Sequence, residues 1–305
     1  MSAKFRTTDY QTAFAGYEAV RHRLPEAGPP RETEVAATLA EVAEHYDSFL
    51  LDAFGVLNIG ESPVPGAPER LAALRAQGKN LRVLTNAASV PVEDLLAKYH
   101  RLGFDFTMDE VISSRQVLLA EAAKHIGMRW GVILPEGAAV TDLAALNFHL
   151  LADNPADYDA VDGFLFLGSA GWSDTRQALL CRALVAQPRP LWIGNPDIVA
   201  PRENGFSIEP GYFAHQVAEQ TGVEPLFFGK PFGNAFDMAL ATLPQPVDPA
   251  RVLMVGDSPH TDVLGGNAAG VRSALLTPYG FLAGQDVGAA MLTSGLYPDV
   301  LLQAI

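Results

Sequence analysis

Short apolar runs recur along the chain, and each ends at a polar or glycine-containing turn. Because these runs show no polar alternation, they predict strands buried on both faces, as in parallel sheets. They cover residues 49–51, 81–84, 111–114, 130–134, 163–167, 191–193, 252–255 and 273–276. Segments with helical spacing separate them, at residues 10–24, 32–45, 69–77, 88–102, 116–124, 173–185 and 233–243, with a further helix ending at Gly270.

This alternation of strands and helices predicts an α/β fold with a Rossmann-like, doubly wound parallel sheet. A length of 305 residues favours two domains over one. We expect an N-terminal helical extension at 1–45, a core domain at 46–120 and 225–305, and an inserted α/β domain at 121–224. The stretch 195–211 is rich in proline and glycine and is predicted to be a loop.

The net charge of the chain argues against two classes of binding partner, nucleic acids and membrane surfaces. The chain has 35 acidic and 21 basic residues, a net charge of −14, so it lacks the basic surface of a nucleic-acid or membrane-surface protein. An anionic substrate would then need help from a metal ion or a helix N-terminus. The single cysteine, Cys181, fits a reducing cytoplasm, and no apolar run approaches the roughly 18 residues of a spanning helix. A soluble cytoplasmic protein is expected.

Two aspartates directly follow predicted strands, Asp52 and Asp257. Parallel strands bring their carboxyl ends to one edge of a sheet, so the two carboxylates can converge despite their separation in sequence. Paired carboxylates are a usual way to hold Mg²⁺, and Asp262 could add a ligand or orient one. Either aspartate alone could equally be a strand-end or helix N-cap residue. The pair favours a metal site because Thr85 and Lys230 occupy equivalent loops.

Thr85 and Lys230 are suited to hold a phosphoryl group. Thr85 ends a predicted strand and is followed by Asn86, so its hydroxyl and N–H can face the same sheet edge. Lys230 lies between Gly229 and Pro231, and its ammonium could offset charge on a carboxylate and a phosphoryl group together. In isolation, Thr85 also fits a turn cap and Lys230 a solvated loop residue.

The order of these motifs resembles that of the haloacid dehalogenase superfamily of phosphohydrolases. The chain reads apolar run-Asp-x-x-Gly-Val, apolar run-Thr-Asn, Gly-Lys-Pro, then apolar run-Gly-Asp-x-x-x-x-Asp. The nearest branch is subfamily IIA, the p-nitrophenylphosphatase and sugar-phosphatase group, whose large α/β cap lies where the inserted domain is expected here. The resemblance covers about residues 47–305 and extends to further details at 64–67, 113–114, 195–197 and 210–211.

The resemblance implies an activity and a set of site residues. Asp52 would attack phosphorus and form an aspartyl phosphate, while Thr85 and Lys230 hold the transferring group. The implied substrate-binding residues are Phe54, Gly55, Asn86 and Asn195. The implied Mg²⁺ ligands are Asp52, the backbone carbonyl of Phe54, Asp257 and Asp262. The partner would be a small phosphorylated metabolite, and the cap can mediate a homodimer in this family.

Residue 54 departs from the family pattern. Phosphatases of this family carry a second aspartate there as general acid and base, a role typically worth about 10²–10⁴-fold, and a phenyl ring cannot fill it. A substitute could come from the cap, from His260 or from the substrate. Two alternatives are a non-catalytic or regulatory protein of the same fold, and a metal-independent dehalogenase-type hydrolase, which the retained Asp257 and Asp262 disfavour.

Substrate identity is expected to reside in the cap. Its predicted loops carry the polar or aromatic residues Trp172, Asp174, Asn195, Asp197, Arg202 and Glu203. Each could equally be an ordinary surface or turn residue.

Overall fold

The computed structural model describes residues 6–29, 31–202 and 205–305. Its largest element is a seven-stranded sheet in which every neighbouring pair of strands is parallel. The strands follow the order Glu34–Ala36, Val300–Leu302, Arg272–Leu276, Val252–Gly256, Ser48–Leu51, Asn80–Thr85 and Val111–Ser113. The parallel α/β fold predicted from the sequence is confirmed.

Successive residues of the central strands enter cores on opposite faces of this sheet. Phe49 and Leu51 belong to one hydrophobic cluster, whereas Leu50 belongs to another, and all three are fully buried. The neighbouring strand alternates in the same way, with Leu253 on the first face and Met254 on the second. Burial on both faces is the reason why these strands appear in the sequence as unbroken apolar runs.

Helices flank the strands along the chain. The α-helices are Tyr10–Ala19, Leu39–Val42, Ala67–Ala76, Val92–Arg101, Ser114–Ala122, Pro155–Asp159, Asp174–Ala186, Pro210–Thr221, Gly233–Ala241, Leu264–Ala268 and Val287–Ser294. A π-helical turn at Pro259–Val263 precedes the tenth. Within the described ranges, none of the helices is long and apolar enough to cross a membrane.

A second sheet has five parallel strands, in the order Leu226–Phe227, Leu191–Ile193, Gly163–Phe166, Arg129–Ile133 and Asn147–Leu150. One hydrophobic cluster joins the two sheets, since Trp130 and Leu165 of the second pack in the same cluster as Phe236 and Met254. A small hairpin, Asn58–Ile59 with Ser62–Pro63, follows the first central strand.

A third sheet links the N-terminal segment to the rest of the chain. Thr7–Thr8 pairs antiparallel with Gly205–Ile208, which in turn pairs with Val199–Arg202. The stretch 195–211 therefore contains a hairpin, and its prediction as a loop was wrong. Pro201 lies on the edge strand, where a residue without an N–H donor is tolerated, so proline content there did not indicate a loop.

The predicted helix at 32–45 was also wrong in its first half. Glu34–Ala36 is an edge strand of the seven-stranded sheet, and only Leu39–Val42 and the short 3₁₀ turn after it are helical. Hydrogen bonds to Val300–Leu302 decide the conformation, and a local window of sequence does not show that partner. This strand, and Leu226–Phe227 of the second sheet, lie outside the ranges expected for their domains.

Candidate active site

Three predicted site residues follow neighbouring strands at the centre of the seven-stranded sheet. Asp52 follows Ser48–Leu51, which pairs on one side with Val252–Gly256, the strand before Asp257. On its other side it pairs with Asn80–Thr85, which ends at Thr85 itself. The parallel register brings all three residues to the carboxyl edge of the sheet, where α/β proteins bind ligands.

Lys230 contacts two of the carboxylates at this edge. Its Nζ lies 2.6 Å from Asp52 Oδ1 and 2.7 Å from Asp262 Oδ1. The lysine and Asp262 side chains are buried, at 2% and 0% exposure, whereas Asp52 keeps 14% of its side chain accessible. Lys230 is therefore fixed between a buried carboxylate that orients it and an accessible carboxylate that can react.

Burial and charge act in opposite directions on this group of residues. Burial raises the pKa of Asp52 to about 6, although Lys230 pulls it down. Burial also disfavours the ammonium of Lys230, but Asp262 and Asp52 outweigh it and raise the pKa of the lysine. Lys230 is consequently a permanent cation at neutral pH, and Asp52 is mainly a carboxylate.

Asp257 is held tightly against the backbone of two loops. Its Oδ2 accepts a hydrogen bond of 2.9 Å from the Phe281 N–H, and its Oδ1 accepts one of 2.7 Å from the Ser258 hydroxyl. Gly55 and Gly280 both have positive φ, and a Cβ on them would come within 2.6 Å and 1.6 Å of Asp257 Oδ2. Only glycine fits at these two positions while the carboxylate stays in place.

The donor set fits a divalent cation. Oxygen atoms of Asp52, Asp257 and Asp262 lie within 4.8 Å of one another. Burial, with Asp52 and Asp262 nearby, raises the pKa of Asp257 well above its usual range, so this carboxylate is poorly compensated by the protein alone. With a divalent cation bound, all three would be ionised, and three carboxylates beside one ammonium carry two negative charges, which matches a hard cation such as Mg²⁺.

Asp262 is the least available of the three as a direct ligand. One of its oxygens contacts Lys230, and the other accepts a hydrogen bond of 3.1 Å from the Ser258 N–H. Because both oxygens have partners and the side chain is fully buried, Asp262 is placed to orient the lysine and the loop that carries Asp257.

Asn86 connects this group to the second sheet. Its Nδ2 donates to the Lys230 carbonyl at 2.8 Å and to Asp197 Oδ1 at 2.7 Å. Its Oδ1 accepts from the Lys230 N–H at 2.8 Å. The preceding residue, Thr85, is buried, and its hydroxyl accepts from the Ala87 N–H at 3.3 Å. Asn86 thus fixes the backbone of Lys230 on one side and a carboxyl group on the other.

A cavity of about 450 Å³ opens above the carboxylates, between the two sheets. We call Asp52, Phe54, Thr85, Lys230 and Asp257 the floor of this cavity; Asn195, Asp197, Arg202 and Glu209, which follow the strand Leu191–Ile193 of the second sheet, also line it. Gly55 lies beneath the floor against Asp257. A space of this size accommodates a small organic molecule.

The cavity residues that follow the strand Leu191–Ile193 form a polar network. Asn195 Oδ1 accepts from the Asp197 N–H at 3.0 Å, and Asn195 Nδ2 donates to Glu209 at 3.3 Å. Glu209 also accepts from the Ser207 hydroxyl and from Arg202. Asn195 lines the cavity, but its amide is engaged by the protein, so it chiefly shapes the turn that presents Asp197.

Other predicted residues lie elsewhere. Trp172 is buried, with its indole N–H donating to Gln177, and Asp174 pairs with Arg6 at the surface. His260 is fully buried, and its Nε2 lies 2.6 Å from Glu18, so it does not line the cavity. Glu203 falls outside the described residues.

Two tyrosines that line the cavity were not predicted from the sequence. Tyr17 comes from the first helix, stacks on His260 at 4.8 Å between ring centroids, and accepts a hydrogen bond from the Ile198 N–H. Tyr99 comes from the helix Val92–Arg101 and is almost fully buried. No motif surrounds either residue, because each reaches the cavity only through tertiary packing.

Comparison with known proteins gives consistent matches over most of the chain. A family model described as haloacid dehalogenase-like hydrolase matches residues 49–149, and a second, related hydrolase-like model matches residues 227–294. The chain is 31% identical to the glycerol-3-phosphate phosphatase of Gallus gallus over 88% of its own length and 92% of that protein. It is 29% identical to the D-glycerol 3-phosphate phosphatase of Mycobacterium tuberculosis, of which it spans 65%.

Solved structures agree with this result. A haloacid dehalogenase superfamily protein from Cytophaga hutchinsonii superposes with a TM-score of 0.77 at 25% identity, covering 89% of this chain and 98% of that one. The glycerol phosphate phosphatase of Mycobacterium tuberculosis in complex with magnesium superposes with a TM-score of 0.64 at 26% identity. That match covers 78% of this chain and 70% of the other.

Proposed function

Because this chain belongs to the haloacid dehalogenase-like hydrolases, we propose that it is a Mg²⁺-dependent phosphatase of small phosphate esters. The phosphatase names of its relatives support the reaction class. The observation that carries the proposal is the contact of one buried ammonium, Lys230, with both Asp52 and Asp262, beside a third carboxylate. Acidic residues that cluster at a surface are solvated by water and do not need a buried lysine between them.

In the proposed reaction Asp52 is the nucleophile. It is the accessible carboxylate of the group, and the Ala53 N–H and Lys230 fix its Oδ1, which leaves Oδ2 to attack phosphorus. Lys230 offsets the negative charge that the phosphoryl group brings beside Asp52. Thr85 ends the neighbouring strand and is placed to donate its hydroxyl to a phosphoryl oxygen. Water then cleaves the aspartyl phosphate.

The proposed Mg²⁺ ligands are Asp52, the backbone carbonyl of Phe54 and Asp257, with Asp262 supporting the site. The ion would neutralise negative charge on the phosphoryl group during its transfer. The poorly compensated carboxylate of Asp257 supports this assignment, because a divalent cation offsets the cost of its burial.

We further propose that Phe54 replaces the aspartate that serves as general acid and base in related phosphatases. Phe54 lines the cavity floor two residues after Asp52, and its ring can exclude water but cannot transfer a proton. Esters with good leaving groups need little protonation, so their hydrolysis should be least affected. Alkyl esters require another proton donor.

Substrate-binding roles are proposed for Phe54, Gly55, Asn86 and Asn195, and the substrate is proposed to be a small phosphorylated metabolite. A core domain at 46–120 and 225–305, a cap at 121–224 and an extension at 1–45 are also proposed, although Glu34–Ala36 pairs with the core sheet and Leu226–Phe227 with the cap sheet. A homodimer through the cap and a cytoplasmic location are also proposed, the latter from the single free cysteine.

Hydrolysis of p-nitrophenyl phosphate tests the proposal. Wild type should turn over with Mg²⁺ and stop with EDTA, and Asp52→Asn should lose at least about 10³-fold in kcat/KM. The matched control is Asp47→Asn, an exposed aspartate at the opposite end of the same strand, which should retain activity. Turnover by Asp52→Asn within tenfold of wild type would contradict the proposal. Halide release from 2-haloacids in EDTA, or ligand-induced stabilisation without turnover, would favour the two alternatives.

A further inference from the structure

Asp197 is a carboxyl group in the cavity that the reaction as proposed so far does not use. It follows the strand Leu191–Ile193 of the second sheet, on a turn fixed by the hydrogen bond from its own N–H to Asn195 Oδ1. Its Oδ1 accepts from Asn86 Nδ2 at 2.7 Å. The same Asn86 amide holds the backbone of Lys230, whose ammonium contacts Asp52. One shared amide therefore holds Asp197 in the cavity and fixes the backbone of the lysine that contacts the nucleophile.

The leaving group of an ester bound at Asp52 must lie within the cavity that Asp197 lines. Phosphoryl transfer places the attacking and leaving oxygens roughly in line on opposite sides of phosphorus. Asp52 attacks from the edge of the seven-stranded sheet, so the ester oxygen points away from that edge into the cavity, which is also lined by residues of the second sheet. Asp197 is presented from that sheet and lines the same cavity.

Other ionisable groups of the cavity are poorly suited to give a proton to that oxygen. Glu61 and Asp94 are exposed, and Glu61 is paired with Lys98. Glu209 accepts hydrogen bonds from Ser207, Arg202 and Asn195, which engage both of its oxygens as acceptors. Tyr17 and Tyr99 are phenols whose pKa burial raises further, so they are weak acids near neutral pH.

We propose that Asp197 is the catalytic general acid and base of this chain, in the role left vacant by Phe54. The inference rests on the phosphatase function proposed above. As Asp52 forms its bond to phosphorus and the ester P–O bond breaks, the Asp197 carboxyl gives its proton to the leaving oxygen, releasing the alcohol. The Asp197 carboxylate then takes a proton from water as the water oxygen bonds to phosphorus. The bond from phosphorus to Asp52 breaks, and phosphate leaves with Asp197 again protonated.

The environment of Asp197 favours the protonated form that the first step needs. Burial raises the pKa of Asp197 to about 8, against the opposing effects of the Asn86 hydrogen bond and the Lys230 charge. A carboxyl with a pKa near the working pH can donate a proton and take one back in the same cycle.

The test compares two aryl esters of similar shape, phenyl phosphate and p-nitrophenyl phosphate. Phenoxide, with a conjugate-acid pKa of about 10 as in tyrosine, needs protonation more than p-nitrophenoxide does. Asp197→Asn keeps the acceptor for Asn86 and should lower kcat/KM for the phenyl ester at least about tenfold more than for the nitrophenyl ester. In wild type the phenyl-ester rate should also decline above about pH 8, and the variant should lose this decline.

A second variant separates a chemical role from a structural one. Phe54→Asp combined with Asp197→Asn should recover phenyl-ester hydrolysis, since it returns a carboxyl to the floor of the cavity. Equal losses on both esters, no loss, or no recovery in the double variant would overturn the inference while leaving the phosphatase function intact. Failure of wild type to hydrolyse either ester would instead refute the function on which the inference rests.

Discussion

The Asn86 side chain donates a hydrogen bond of 2.7 Å to Asp197, and this contact links a loop of the second sheet to the strand end that carries Thr85. On the other side Asn86 makes two bonds of 2.8 Å to the backbone of Lys230. One amide therefore holds both the backbone of Lys230 and the carboxyl group of Asp197.

Replacing Asn86 should damage both stability and activity. Asn86→Ala leaves the buried N–H and carbonyl of Lys230 without partners, which should cost about 2–4 kcal/mol in the free energy of unfolding. The measurement is urea denaturation together with kcat/KM for p-nitrophenyl phosphate. Asn80→Ala is the control, since Asn80 begins the same strand and its side-chain amide donates longer bonds, of 3.3 Å, to the Asp47 carbonyl and the Ser48 hydroxyl. Equal effects of the two changes would contradict a special role for Asn86.

Removing the buried ammonium of Lys230 should lower the free energy of unfolding further. Lys230→Met leaves Asp52 and Asp262 close together without their ammonium, and breaking a buried ion pair typically costs about 3–5 kcal/mol. Urea denaturation in EDTA measures this loss. Lys124→Met, which removes an exposed ion pair with Glu121, should change stability by less than about 0.5 kcal/mol. A Lys230→Met protein as stable as wild type would show that the ion pairs do not support the fold.

Asp257→Asn should lower stability in the presence of Mg²⁺ but not in its absence. Without metal, the change removes a buried carboxylate whose pKa is raised by burial and by its two acidic neighbours, so stability should rise or stay level. Wild type should gain in Tm as Mg²⁺ is added, because a ligand that binds only the folded state stabilises it, and the variant should lose most of this gain. Thermal melts across a Mg²⁺ series measure both effects.

The matched control for that series is Asp248→Asn, which alters an aspartate that caps the turn Pro249–Arg251 away from the site. It should keep the full Mg²⁺-dependent rise in Tm. A rise in Tm that survives in Asp257→Asn would place the cation elsewhere.

Asp197 should make the stability of the protein fall as pH rises. Its pKa is about 8 in the folded chain and about 3.8 when unfolded, so the folded state binds more protons between these values. The free energy of unfolding therefore decreases through that window, and the loss is complete above about pH 8. Asp197→Asn should remove this contribution and stabilise the protein by about 1–3 kcal/mol at pH 8, with little effect near pH 4.

Denaturation of wild type and variant at both pH values measures this difference. Asp94→Asn, which changes an exposed aspartate on the cavity rim, should shift stability by less than about 0.5 kcal/mol at either pH. A pH dependence that is unaltered in Asp197→Asn would mean that Asp197 is ionised in the folded protein.

Much of the fold and of the site's floor could be predicted from the sequence, for a physical reason. Central parallel strands are buried on both faces, so Phe49–Leu51 and 252–255 appear as apolar runs and the polar residue after each is conspicuous. The topology then brings Asp52, Thr85 and Asp257 together without further information.

Features that depend on distant partners could not be predicted in the same way. Glu34–Ala36 becomes a strand through its pairing with Val300–Leu302, and the hairpin within 195–211 pairs with Thr7–Thr8. Tyr17 reaches the cavity because its helix packs between the hairpin and the π-helical turn. The sequence shows Asp197 as a polar residue of a predicted cap loop. Its hydrogen bond to Asn86 cannot be predicted from the sequence, because it depends on how the two sheets pack.

Chemical trapping of the intermediate tests the central claim, that Asp52 is the nucleophile of a phosphatase. Enzyme turning over p-nitrophenyl phosphate with Mg²⁺ would be quenched with borohydride, which reduces an aspartyl phosphate to homoserine, and the peptides analysed by mass spectrometry. The account predicts homoserine at position 52 in wild type, none without substrate and none in Asp52→Asn. Full turnover with no homoserine at position 52, or with homoserine at another aspartate, would contradict it.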